Sequence, residues 1–92
     1  MDNTKELICS VIAEKTVLKE HVYELDEEAN LFLTGLDSFQ LMNVIVELER
    51  RLEINFKDEE LIVIRFQNLK EIYESICEVL VRYGYGKTEV KA

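Results

Sequence analysis

Ser38-Phe39-Gln40-Leu41-Met42-Asn43-Val44-Ile45-Val46-Glu47-Leu48-Glu49-Arg50-Arg51-Leu52 is the stretch on which the fold turns. At about 100° per residue, Leu41, Val44, Ile45, Leu48 and Leu52 fall on one face of a helix. Gln40, Asn43, Glu47, Arg50 and Arg51 fall opposite, and Phe39, Met42 and Val46 form a second apolar strip between the two. The spacing predicts an amphipathic helix from Ser38 to about Leu52. Asp37 stands where an N-cap belongs, and Gln40, three residues on, has the spacing to reciprocate in a capping box.

Outward from this helix, the same periodicity recurs on both sides. Leu7, Ile8, Val11 and Ile12 mark a first helix from about Thr4 to Thr16, with Asn3 and Glu6 spaced as its capping box. Residues 19–36 read as a long connection in which Leu31, Phe32 and Leu33 fold back onto the core. Asp58-Glu59-Glu60 opens a short third helix, since carboxylates favour the positive end of a helix dipole. Its continuation, Leu61-Ile62-Val63-Ile64, is β-branched enough to fit a strand as well. Asn68 and Glu71 begin a last helix carrying Leu69, Ile72, Tyr73, Ile76, Val79, Leu80 and Tyr83, and Gly84 is placed to end it. The expected fold is all-α: a small antiparallel four-helix bundle with a long first loop and a short third helix. Its expected core is Leu7, Val11, Leu41, Val44, Ile45, Leu48, Ile72, Ile76 and Leu80. Residues 1–85 are expected to form the domain, and residues 86–92 a flexible tail.

A chain of 92 residues is one domain at most and has no room for a deep catalytic pocket. Apolar residues at 48% against charged residues at 33% give a globular balance, and the absence of proline favours long helices. The net charge of −8 excludes ready binding to nucleic acid or to anionic membranes. It serves either to meet basic patches on partner proteins or simply to keep the chain in solution. No run is long enough for a membrane span, and Met1-Asp2-Asn3 does not open a signal peptide, so a cytoplasmic protein is expected. Two cysteines, Cys9 and Cys77, fit a reducing compartment.

Chemistry concentrates in Leu33-Thr34-Gly35-Leu36-Asp37-Ser38-Phe39-Gln40-Leu41-Met42. Gly35 permits a tight turn. With Asp37 at the N-cap, Ser38 takes the first helical position, its hydroxyl facing solvent beside free backbone N–H groups. Such a place suits a phosphate, and a serine there suits a covalent phosphodiester. Taken as two residues, Asp-Ser before a helix is simply a common cap.

The wider pattern points further. Gly35-Leu36-Asp37-Ser38-Phe39 resembles the phosphopantetheine attachment motif of the acyl and peptidyl carrier protein family: Gly, an aliphatic residue, Asp, Ser, an apolar residue. Leu48-Glu49-Arg50-Arg51-Leu52-Glu53-Ile54, Asp58-Glu59-Glu60-Leu61 and Phe66-Gln67-Asn68-Leu69 resemble the family's later helix boundaries, so that the likeness runs from about Lys5 to Tyr83. The resemblance implies a discrete, non-catalytic carrier. Ser38, supported by Asp37 and Gly35, would receive 4'-phosphopantetheine from coenzyme A through a separate phosphopantetheinyl transferase. The arm would hold acyl or aminoacyl groups as thioesters, passed between activating and condensing enzymes by a monomeric protein. Carriers of fatty acid synthesis line this helix with acidic residues. Here only Glu47 and Glu49 are acidic, against Arg50 and Arg51, which favours a specialised acyl, peptidyl or polyketide carrier.

The partner surface is expected on Phe39, Met42 and Val46, with Glu47 and Glu49 as a charged rim. A hydrolase reading finds no Gly-x-Ser-x-Gly elbow and only one histidine, His21. Cys9, Cys77 and His21 lack metal-site spacing, and residues 24–28 lack the glycine and final Glu of a calcium loop. No metal site is expected. The rival class is an unmodified helical interaction or regulatory domain.

Overall fold

The computed structural model describes residues 3–61 and 63–84. Three α-helices make the frame: α1 (Asn3–Lys15), α2 (Ser38–Leu52) and α3 (Leu69–Arg82). Short 3-10 segments at Lys19–Glu24, Leu31–Thr34, Asp58–Glu60 and Val63–Phe66 fill the connections, and no strand occurs among the described residues. The protein is a small all-α bundle, as the periodicity requires.

Each helix ends for a local reason. α1 stops where the buried Thr16 turns its Oγ1 back to donate to the Ile12 carbonyl at 2.7 Å, and Lys19 then takes a left-handed φ of 53°. α2 stops at Glu53, also left-handed at φ 58°, whose N–H donates to the Glu49 carbonyl. α3 begins at Asn68, whose side chain accepts from Glu71 N at 2.7 Å, and runs out into Gly84 at φ 94°.

The α2 seam forms one wall of the core. Leu41, Val44, Ile45 and Leu48 are buried, facing Ile8, Val11 and Ile12 of α1 and Ile72, Ile76 and Val79 of α3. Of the expected core, Leu7 and Leu80 are only partly buried, packed against the edge of the cluster. The connections supply what the helices lack: Leu18, Val22, Leu31, Leu36, Ile54, Phe56 and Phe66 are all buried. Phe56 and Phe66 meet edge to face, their centroids 5.8 Å apart at 80°.

The long first loop is pinned rather than loose. Leu31 N donates to the Gln67 carbonyl at 2.8 Å, and Lys70 N to the Glu27 carbonyl at 3.0 Å, which ties the loop to the start of α3. Two expectations need correction here. Leu33 does not fold back: it is 84% exposed, while Leu31 is buried and Phe32 half-buried. The third helix is not one continuous piece but two single 3-10 turns, separated where Leu61 leaves helical geometry (φ −89°, ψ 63°). Val63–Phe66 is therefore helical rather than a strand, and Ile62 lies outside the described residues. The proposed tail, 86–92, also lies outside them.

A core this small has no redundancy. Leu48→Ala is expected to lower unfolding stability by about 2–5 kcal/mol, much of what a small domain has. Chemical denaturation reads the loss directly. A variant with the wild-type midpoint and slope would show that Leu48 is not part of the core.

Candidate functional site

The turn into α2 is built from five consecutive residues with separate tasks. Gly35 adopts φ 107°, a backbone conformation that L side chains rarely take. Leu36 is buried and anchors the turn. Asp37 is extended (φ −116°, ψ 177°), and its Oδ1 accepts from Gln40 N at 2.8 Å while its carbonyl accepts from Leu41 N at 3.1 Å. Ser38 then begins the helix and is exposed; Phe39 follows, 74% exposed. Because the first N–H groups of a helix have no intrahelical partner, those of Ser38 and Phe39 are oriented with the positive end of the dipole beside the serine hydroxyl.

Gln40 departs from the expected capping box. Its Oε1 accepts from Val17 N at 3.1 Å instead of returning to Asp37. Val17 lies just past the end of α1, where its N–H has lost a helical acceptor. The glutamine therefore ties the end of α1 to the start of α2 across 23 residues of chain. No local rule could have shown this bond, because its donor comes from another element.

The expected partner surface divides in two. Val46 is 57% exposed, Phe39 more so, and Met42 is half-buried between them. The two carboxylates expected at the rim have partners within the chain. Glu47, its side chain only 12% exposed, accepts from Arg50 and from Arg51 Nε at 2.6 Å, with Lys15 Nζ at 4.0 Å. Arg51 also donates to Glu14 at 2.6 Å, which joins α2 to α1. Glu49 Oε2 accepts from Phe56 N at 2.8 Å. The outer face of α2 is thus close to neutral.

Other candidates stay apart from this turn. Cys9 and Cys77 are half-buried, and burial, then the Glu6 carboxylate, push the Cys9 thiol up. His21 is exposed on a 3-10 turn. No group of His, Cys, Asp and Glu able to hold a metal occurs among the described residues. A cavity of about 300 Å³, lined by Lys5, Ile8, Cys9, Leu25, Glu27 and Leu69, shares no residue with the segment 33–42. None of the described helices is long and apolar enough to cross a membrane.

Among the described residues the protein is a small helical bundle with an exposed serine at a capped helix start. The family model for the phosphopantetheine attachment site matches residues 6–76, and the chain belongs to that family. The chain matches no curated protein and no solved structure. The family carries covalently attached 4'-phosphopantetheine, and its domains are generally carriers without catalytic activity of their own.

The charge cluster has a pH signature. The Arg50 hydrogen bond, then that of Arg51, hold the Glu47 carboxyl down at about 2, against an ordinary 4.5. A folded-state value below the unfolded one stabilises the protein fully above the unfolded value and loses that effect as pH falls through the folded one. Glu47→Gln should therefore flatten the fall in melting temperature between about pH 4.5 and pH 2. Parallel acid profiles of variant and wild type would show the cluster to be irrelevant to folding.

Proposed function

We propose that Ser38 is the residue that receives the phosphopantetheine arm and that the protein shuttles acyl or aminoacyl groups between enzymes of a biosynthetic pathway. The observation that carries this reading is the exposed serine at the first position of α2, inside the matched family region and behind a φ 107° glycine, a buried leucine and a capping aspartate.

The residues fit the group. A phosphodiester at Ser38 would sit at the positive end of a 15-residue helix, where negative charge is favoured. The Asp37 carboxylate is held by Gln40 N, so the cap is satisfied without the serine. In the transfer, Ser38 Oγ forms the new bond to phosphorus and gives up its proton. The pyrophosphate bond of coenzyme A breaks, and adenosine 3',5'-bisphosphate leaves. When bound, the arm supplies a thiol that holds cargo as a thioester. The protein's share is mechanical: a rigid turn fixes the anchor and raises the effective concentration of cargo at whichever enzyme is docked.

Several finer readings go with this one. The near-neutral face of α2 supports a specialised acyl, peptidyl or polyketide carrier over a fatty acid carrier with an acidic recognition helix. The partners are a phosphopantetheinyl transferase and enzymes that activate and condense acyl or aminoacyl groups. A monomer in the cytoplasm fits the charge and the cysteine usage.

The test is direct. Incubation with coenzyme A and a broad-specificity transferase should add one phosphopantetheine to the wild type and none to Ser38→Ala, by intact mass. The substitution removes no packing and leaves the cap in place, so unfolding stability should change by less than about 0.5 kcal/mol. Equal modification of variant and wild type would remove Ser38 from the role.

A further inference from the structure

The cavity between α1, the first loop and the start of α3 lies outside the turn that holds Ser38. It measures about 300 Å³ and is lined by Lys5, Ile8, Cys9, Leu25, Glu27 and Leu69. Its three walls are tied to one another. Lys70 N donates to the Glu27 carbonyl at 3.0 Å, Lys70 Nζ meets Glu28 at 3.5 Å, and Lys5 Nζ meets Glu27 at 3.4 Å. Most of the lining is apolar: Ile8 is buried, and Leu25 and Leu69 are half-buried. Cys9 adds to it, because burial, then the Glu6 carboxylate, favour its neutral thiol, which packs as a small, polarisable hydrophobe. An apolar cavity of about 150 Å³ holds benzene, and small-molecule pockets begin at about 300 Å³.

The polar pair in the lining selects the ligand. Lys5 and Glu27 are both exposed, which puts them at the open side of the cavity. Lys5 Nζ also stands 5.1 Å from the centre of the Tyr73 ring, so this ammonium already meets one aromatic face. A ring entering the cavity would offer it a second. An aromatic ring is negative on its face and positive at its edge, which matches a cation beside a carboxylate. An aliphatic group of equal size has neither contact. Charge excludes the ionic alternatives. Residues 3–11, 23–29 and 67–71, which carry the walls, hold two cations, Lys5 and Lys70, against six carboxylates. An anionic ligand would meet that surplus. A cationic one would leave its hydration for apolar walls and a carboxylate already paired with Lys5.

We propose that this cavity binds a small, uncharged aromatic molecule of one or two rings, its face toward Lys5 and an N–H or O–H at its edge toward Glu27. The site depends neither on Ser38 nor on an arm attached there. Its walls come from three segments far apart in sequence, so an occupant also ties the first loop to α1 and α3.

Indole is the probe, because the chain contains no tryptophan and indole emission can be followed alone. Titrating the full chain into indole should shift that emission to the blue, saturably and at one site, with a Kd below about 1 mM. Indole at about ten times Kd should slow alkylation of Cys9 by a neutral maleimide about tenfold and leave Cys77 unchanged, read by mass on the tryptic peptides. Phenol should displace indole, while cyclohexanol and benzoate should do so at least about tenfold more weakly. Lys5→Gln should weaken indole binding about twofold to fivefold at an unchanged melting temperature. Cys9→Leu, which fills the cavity, should weaken it at least about tenfold. An emission change that does not saturate, Cys9 alkylation that indole leaves unaltered, or undiminished binding in a folded Cys9→Leu variant would overturn the site. Displacement by cyclohexanol as effective as by phenol, or unaltered binding in Lys5→Gln, would overturn the aromatic class. The alkylation test uses the unmutated chain and decides the matter even if Cys9→Leu fails to fold.

Discussion

Ser38 is held outward because its neighbours on both sides are held inward. Leu36 and Leu41 are buried, and Asp37 closes the helix start between them through Gln40 N. A rotation of α2 that turned Ser38 away from solvent would pull one of these leucines out of the core, at a cost of about 1.5–3 kcal/mol of burial each. The cap adds about 1 kcal/mol to the same geometry. The position of Ser38 is therefore fixed by packing directly beneath it. It does not depend on contacts made by the serine itself, which leaves its hydroxyl available for chemistry.

The rest of the bundle supports that arrangement. α2 packs its apolar seam on α1 and shares one buried cluster with α3, and the pairs Arg51–Glu14 and Lys15–Glu47 tie its far end to α1. Gln40 makes the corresponding tie at the near end. Fixed at both ends, the helix presents one rigid face to whatever docks. A small carrier that meets several enzymes in turn gains from this, because a preorganised surface does not have to be ordered afresh at each encounter. At the opposite end of α3, Arg82 meets Glu60 at 2.5 Å and the Asn55 carbonyl at 3.1 Å, which closes the connection that follows α2.

The helices were legible in the sequence because their apolar residues repeat at 3.6, and α2, with the clearest repeat, is the element whose buried residues were anticipated one by one. The connections were not legible, for identifiable reasons. Leu31-Phe32-Leu33 reads as one apolar anchor, but a 3-10 turn has three residues per turn, which sends Leu31 inward and Leu33 outward. Ile54, Phe56 and Phe66 follow no period and are buried by tertiary contact alone. At the site, Gly35, Asp37 and Ser38 were readable from turn and cap chemistry, whereas the bond from Val17 to Gln40 was not. It depends on where α1 happens to end. The pairing of Glu47 was also readable, because arginines at i+3 and i+4 announce intrahelical ion pairs.

The central claim is that this rigid turn exists to carry a phosphopantetheine arm on Ser38. Fragment-level mass spectrometry of the full-length protein purified from its own cell tests it most directly, because it reports both the presence of the arm and its position. The account predicts phosphopantetheine on the peptide that contains Ser38 and on no other. An arm on a different residue, or a Ser38 peptide that is wholly unmodified, would contradict it.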